Sequence, residues 1–217
     1  MTQMKHSDVF WFVPNLIGYF RVSLGAVVAF SMYYEYPYVT FICYLASGLL
    51  DGADGYYARK LGQCSMFGEV LDMVTDRCTA ATLLIYLTQL YKSPLLALAA
   101  CFLISLDISS HYMQMFAQLM VGKTNHKQMD ENTHWALKLF YTDKRIFIPL
   151  CFGNEAFYLL LYMDKYLPTY ALYISIPLTF VALPLCLIKN AINAVQLYVS
   201  ACELACLDAA KFNKSKK

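Results

Sequence analysis

A chain of 217 residues that is 59% hydrophobic and only 15% charged lacks the polar surface a water-soluble domain of this length requires. It reads as an all-α integral membrane protein, one membrane domain spanning residues 1–217. A net charge of +2, with no arginine-rich arm, basic helix or zinc-finger spacing, argues against a nucleic-acid partner, and the eight cysteines, free of any C-x-x-C pair, read as small buried hydrophobes.

In chain order, the opening "MTQMKHSDVFWFVPNL" has no long apolar core followed by a small-residue cleavage site, so the first span is expected to direct insertion itself. Apolar runs of the length that crosses hydrocarbon fall at roughly 13–33, 37–57, 68–90, 94–120, 146–163 and 170–205, the last long enough to continue beyond the bilayer. Between the fourth and fifth lies the longest polar stretch, Val121 to Arg145, expected to be a loop with one short surface helix. With the N-terminus in the cytosol, twelve lysines and arginines outside the spans fall on the cytosolic side and only Lys92 and Lys165 on the other. That asymmetry favours a six-helix bundle with both termini cytosolic. Arg21, Arg77 and Lys189 are left inside spans.

The stretch "LLDGADGYYARKLGQCSMFGEVLDMVTDRC" places Asp51, Asp54, Asp72 and Asp76 where helices should meet hydrocarbon. A carboxylate near the bilayer centre costs roughly 2.5–3.5 kcal/mol on insertion scales, so four together need a compensating partner. Asp51 and Asp54 share one helix face, and Gly68, Asp72 and Asp76 form an i, i+4, i+8 stripe on the next helix. The two helices can point two carboxylates each into one gap, with Gly55, Ala58 and Gly68 leaving room beside them. Between positions 51 and 76 there are five acids and only two bases, Arg59 and Lys60, which makes a cation the natural missing charge. An all-carboxylate set suits Mg2+ or Mn2+, and four carboxylates could hold two such ions. An interhelical hydrogen-bond cluster, or the proton or sodium relay of an ion-coupled transporter, is the alternative use of such residues.

These residues spell D-x2-D-G-x2-A-R-x8-G-x3-D-x3-D without a departure, at Asp51, Asp54, Gly55, Ala58, Arg59, Gly68, Asp72 and Asp76. The pattern resembles the signature of the CDP-alcohol phosphotransferases. The resemblance implies a six-transmembrane-helix bundle, usually a homodimer, with a two-metal site open to the cytosol. It also implies an endoplasmic reticulum location, and the tail "KFNKSKK" adds a basic segment able to meet anionic lipid. Beyond the signature, "FVPNLIGYFRV", "SGLLDGADG", "FGEVLDMVTDRC", "NHK" at Asn125 to Lys127, "YT" at Tyr141 to Thr142 and "CFGNEAFY" resemble the eukaryotic branch of the family whose acceptor is inositol. The signature alone does not name the acceptor, so glycerol 3-phosphate and serine stay open as acceptors.

The reaction so implied joins CDP-diacylglycerol and myo-inositol, giving phosphatidylinositol and CMP. By the same resemblance Asp51, Asp54, Asp72 and Asp76 are metal ligands, and Asp76 is also the base or orienting group for the acceptor hydroxyl. Gly55, Ala58 and Gly68 would admit the cytidine, Arg59 would contact the diphosphate, and Ser65 lies at a hydroxyl position of the nucleotide loop. Inositol is neutral and covered with hydroxyls, so it needs side chains that both donate and accept. His111, Gln114, Asn154 and Glu155 are candidates, with Arg145 at the mouth. Asp107 stands one turn before His111, and Lys189, Asn190 and Asn193 form a polar row on the last span.

Overall fold

The computed structural model describes residues 5–121 and 135–215. The "NHK" block at Asn125 to Lys127, together with Lys123, Lys216 and Lys217, lies outside the described residues. The described chain is helical, with no strand: α1 (His6–Phe10), α2 (Val13–Tyr33), α3 (Pro37–Lys60), α4 (Met66–Tyr91), α5 (Pro94–Val121), α6 (Trp135–Thr142), α7 (Lys144–Met163) and α8 (Thr169–Ser215). Prolines stand in the first turns of α2, α3 and α5, where a missing N–H costs nothing and the fixed φ suits a helix. Asp143 caps α7 by accepting from the Arg145 N–H at 2.8 Å.

Among the described residues four helices, α2, α5, α7 and α8, are long and apolar enough to cross a membrane. α3 and α4 match them in length, but α3 carries Asp51, Asp54, Arg59 and Lys60, and α4 carries Glu69, Asp72, Asp76 and Arg77. Burial is inverted relative to a water-soluble protein. Phe20, Phe30, Leu95, Leu98, Phe102, Phe180 and Val181 face outward, while Asn15, Arg21, Thr40, Asn193 and Gln196 are enclosed. Hydrocarbon accepts the first group and penalises the second, which accounts for both. The same logic corrects the reading of the cysteines. All eight are free thiols, yet only Cys186 is buried and Cys64, Cys78, Cys101, Cys202 and Cys206 are exposed. Lipid is as apolar as a protein core, so an apolar residue on a membrane helix is not thereby an inner one.

The chain forms two compact helical units, Met1–Lys92 and Ser93–Lys217. In the first, α2 packs against both α3 and α4 and is the element that joins them. The reason lies in the stripe Gly18, Arg21, Gly25, Val28, Met32 along one side of α2. A Cβ on Gly18 would lie 2.7 Å from Leu71 Cδ2, and one on Gly25 would lie 3.2 Å from Thr79 Oγ1. Small residues let α2 and α4 approach closely at those two levels, with Arg21 between them. Val28, Met32, Leu83, Leu84 and Leu87 fill the apolar core of this unit.

The turn between α3 and α4 is held at every step. Leu61 caps α3 and is followed by Gly62 at φ +64°, and the Gln63 N–H returns to Ala58 O at 2.9 Å. That is the Schellman arrangement, which needs a residue free to adopt the left-handed region. Gln63 Oε1 then accepts from the Val13 N–H at 2.9 Å, tying the start of α2 to the turn, and Ser65 caps α4 through the Gly68 N–H at 3.1 Å.

In the second unit α8 packs against α5, α6 and α7. Its 47 residues, with Pro177 and Pro184 among them, amount to about 70 Å of helix at the 1.5 Å rise per residue. Leu150, Tyr158, Leu159, Tyr162 and Cys186 fill the α7–α8 contact, and Gly153 sets its separation, because a Cβ there would lie 2.5 Å from Leu185 Cβ. Gly153→Leu should therefore destabilise the protein by about 1–3 kcal/mol, seen as a lower thermal midpoint in detergent. Gly48→Leu, at a helix-interior glycine with nothing within 4 Å of the added Cβ, is the control and should melt no lower than wild type.

Candidate functional site

The four signature aspartates converge, and the group that gathers them is Arg21. Its side chain is 1% exposed and comes from α2, some thirty residues before the first of them. Nη1 donates to Asp54 Oδ2 at 2.7 Å and to Asp72 Oδ1 at 2.6 Å. Nη2 lies 3.0 Å from Asp51 Oδ1 and donates to Asp76 Oδ1. One guanidinium thus touches two carboxylates of α3 and two of α4, which the planar fork of arginine allows and a lysine ammonium could not reproduce with the same spread. Arg77 Nη2 stands 3.7 Å from Asp76 Oδ2. Counting Arg77, the cluster still holds more carboxylates than guanidinium groups.

The exposure of the four carboxylates differs. Asp54 is 10% exposed, whereas Asp51, Asp72 and Asp76 are 44%, 38% and 34% exposed and so can be reached from outside the protein. Those three each offer an oxygen atom, and the three atoms lie within 4.8 Å of one another. This donor set fits a hard divalent cation such as Mg2+ or Mn2+, which takes carboxylate oxygens and keeps some of its water. Asp54, outside that triad, faces Arg21 from the buried side.

The glycines of the signature have occupied surroundings. A Cβ on Gly55 would lie 3.3 Å from Arg59 Nη1, so the exposed Arg59 side chain folds back across the Gly55 face. Ala58 is half-buried on the same helix. A Cβ on Gly68 would lie 2.5 Å from Asn15 Oδ1 and 3.1 Å from Ser65 Oγ. The space beside Gly68 is filled by an amide of α2. Asn15 is fully buried and donates through Nδ2 to Val9 O at 2.6 Å, while its Oδ1 has no hydrogen-bond partner. The Ser65 hydroxyl accepts from the Gly68 N–H and leaves its own proton available.

The polyol candidates all belong to the second unit, where hydrogen bonds sort them into separate groups. His111 Nδ1 lies 2.8 Å from Asp107 O and 3.5 Å from Asp107 Oδ1. Gln114 accepts from Tyr141 Oη at 3.2 Å, and the same hydroxyl lies 2.7 Å from Gln196 Oε1. Asn154 donates to Glu155 at 3.1 Å and accepts from Asn190 at 3.0 Å. Arg145 is exposed at the start of α7. The polar row of α8 does meet an acid: Asn193 donates to Asp107 at 2.9 Å and Lys189 donates to Asn193 at 2.6 Å.

Sequence reasoning missed Arg21, Asn15 and Gln196. It sought the compensating charge for the aspartates between positions 51 and 76, whereas the cation arrives from a different helix. The available signal was an arginine in the middle of "LIGYFRVSLGAVVAF", which hydrocarbon tolerates only when paired.

Comparison with known proteins fits this geometry. The family model described as CDP-alcohol phosphatidyltransferase matches residues 11–204, a stretch containing every residue of the acidic cluster. The chain belongs to that family. Among its relatives, CDP-diacylglycerol–inositol 3-phosphatidyltransferase of Candida albicans is 40% identical over 95% of this chain and 87% of its own length. The proteins of the same name from Schizosaccharomyces pombe and Homo sapiens are each 38% identical, covering 99% and 98% of this chain and 98% and 100% of their own. No solved structure matches the chain significantly.

Because Asn15 fills the face of Gly68, the two positions should be energetically coupled. Gly68→Ala should lower the thermal midpoint, by the equivalent of about 1–2 kcal/mol, since the new methyl meets the amide. Adding Asn15→Gly should make the double variant more stable than the sum of the two single effects. Strict additivity across this cycle would show that the two side chains do not share the space.

Proposed function

We propose that this chain transfers the phosphatidyl group of CDP-diacylglycerol to myo-inositol, releasing CMP. The observation that carries the reading is identity of 38–40% over 95–99% of the chain to proteins of that activity by name. The family membership and the acidic triad support the chemistry.

Asp51, Asp54, Asp72 and Asp76 are the residues to hold two divalent ions. When bound, those ions supply positive charge opposite the diphosphate and the departing CMP, the main assistance phosphoryl transfer needs. Arg59, lying across Gly55 beside the aspartates of α3, is the residue to engage the diphosphate. Gly55, Ala58 and Ser65 line the nucleotide, and Gly68, whose Cβ face is taken by Asn15, meets it only through its backbone. The inositol hydroxyl oxygen attacks phosphorus as the bond to the CMP oxygen breaks, and the hydroxyl proton passes to an Asp76 carboxylate oxygen. His111, Gln114, Arg145, Asn154 and Glu155 are the groups proposed to orient the polyol.

On this reading α2, α3, α4, α5, α7 and α8 are the six membrane crossings of a single domain, with both termini and the acidic cluster on the cytosolic side. The charged residues that keep α3 and α4 below the apolarity of the other four are the signature residues and their neighbours, which supports counting these two helices as crossings with a functional end. Endoplasmic reticulum membrane and a homodimeric state complete the proposal.

The test is CMP release from CDP-diacylglycerol by the purified protein with Mg2+ or Mn2+, supplied in turn with inositol, glycerol 3-phosphate and serine. Release with inositol alone is expected. Release with another acceptor instead would move the chain to a different activity of the family, and none with any would favour an ion relay. Asp72→Asn should reduce release at least about a hundredfold, while the protein still inserts. Asn154→Ala with Glu155→Gln should raise the inositol KM about tenfold or more, from losing polyol hydrogen bonds of about 1–3 kcal/mol each. CDP-diacylglycerol binding is the control there, because Asn154 also accepts from Asn190 and a disturbed helix contact would weaken both substrates.

A further inference from the structure

The buried Arg21 side chain lies within hydrogen-bonding distance of all four aspartates, three of which form the triad able to hold a cation. Its contacts include Asp51 Oδ1 at 3.0 Å and Asp72 Oδ1 at 2.6 Å. A cation bound by the same oxygens meets the guanidinium at once, since two positive groups cannot share them at hydrogen-bond distance without strong repulsion. Arg21 is also the only side chain among the described residues shown in ion pairs with both carboxylates of α3 and both of α4. Without it the two helix ends would present four mutually repelling acids, and α2 would lose the polar link between its close contacts at Gly18 and Gly25.

We infer that Arg21 is a positioning residue of the metal site. It acts as a built-in counter-cation that holds the four carboxylates in register when no metal is bound, and it competes with divalent ions for Asp51, Asp72 and Asp76. Asp54, the least exposed of the four and outside the triad, keeps its Oδ2 on the guanidinium when the others are given up, which leaves its Oδ1 for an ion. The site thereby exchanges one internal cation for external ones, without passing through a state in which the acids stand uncompensated. The inference rests on the proposed use of these aspartates as metal ligands.

Two measurements on the purified full-length protein in detergent test it, neither depending on turnover. Mn2+ binding is followed by the electron paramagnetic resonance signal of the free ion, and thermal unfolding is followed in chelator and in saturating Mn2+. Arg21→Met should bind Mn2+ at least tenfold more tightly than wild type. It should melt several degrees lower in chelator, with a correspondingly larger upward shift on adding Mn2+. Arg21→Lys keeps one charge without the fork. It should fall between the two in both measurements, and it carries the test if Arg21→Met fails to fold. A merely structural arginine would lower the midpoint equally in chelator and in Mn2+ and leave the Mn2+ affinity at the wild-type value; that result overturns the inference while leaving the metal site intact. Absence of saturable Mn2+ binding by the wild type would instead remove the metal reading itself, and this inference with it.

Discussion

The contact between one arginine and four aspartates is the constraint around which the first helical unit is organised. A guanidinium in hydrocarbon is tolerable only with anions at hand, and a carboxylate cluster only with cations, so α2 and the α3–α4 pair each make the other possible. Small residues on α2 permit the approach, and Arg21 uses it. Breaking such an arrangement by removing one partner is far costlier than never having built it, which ties the packing of the unit to the chemistry of the site. The exposed edges of Asp51, Asp72 and Asp76 keep that site open to solutes, while Asp54 fixes it from inside.

Much of this was legible in the sequence. The apolar runs at 13–33 and 94–120 are α2 and α5 almost residue for residue, because a predominantly apolar stretch of that length admits little but a helix. The convergence of the aspartates followed from i, i+3 and i, i+4 spacing on two helices joined by a short turn. What periodicity could not supply was the third helix. Spacing along one element says which residues share a face and nothing about which distant element faces them, so Arg21 was noted only as a charge left inside a span. The face of Gly68 shows the same limit from the other side. A glycine read as open space for a ligand is met by Asn15, a residue from a different helix whose proximity no local pattern encodes.

The second unit follows a different rule. Its polar residues are spread along α5 and α8 and satisfy one another across the helix contact, through Asn193 with Asp107 and through Tyr141 with Gln114 and Gln196. In the first unit polar groups gather around a single charged centre. In the second they form several small groups rich in neutral amides and hydroxyls, a chemistry suited to holding helices in register in lipid and to meeting a neutral, hydroxyl-rich molecule.

The turn from Leu61 to Ser65 gives the fold an unusual rigidity of spelling. Surface connections ordinarily absorb added or lost residues at little cost. Here Gly62 ends one helix, Gln63 holds the start of α2 and Ser65 begins the next helix, so three of five consecutive positions have separate duties. A residue inserted among them must either abandon one of those anchors or advance α4 by about 100° around its axis, carrying Asp72 and Asp76 away from Arg21. A short connection that looks free to vary in length is therefore held to the length it has.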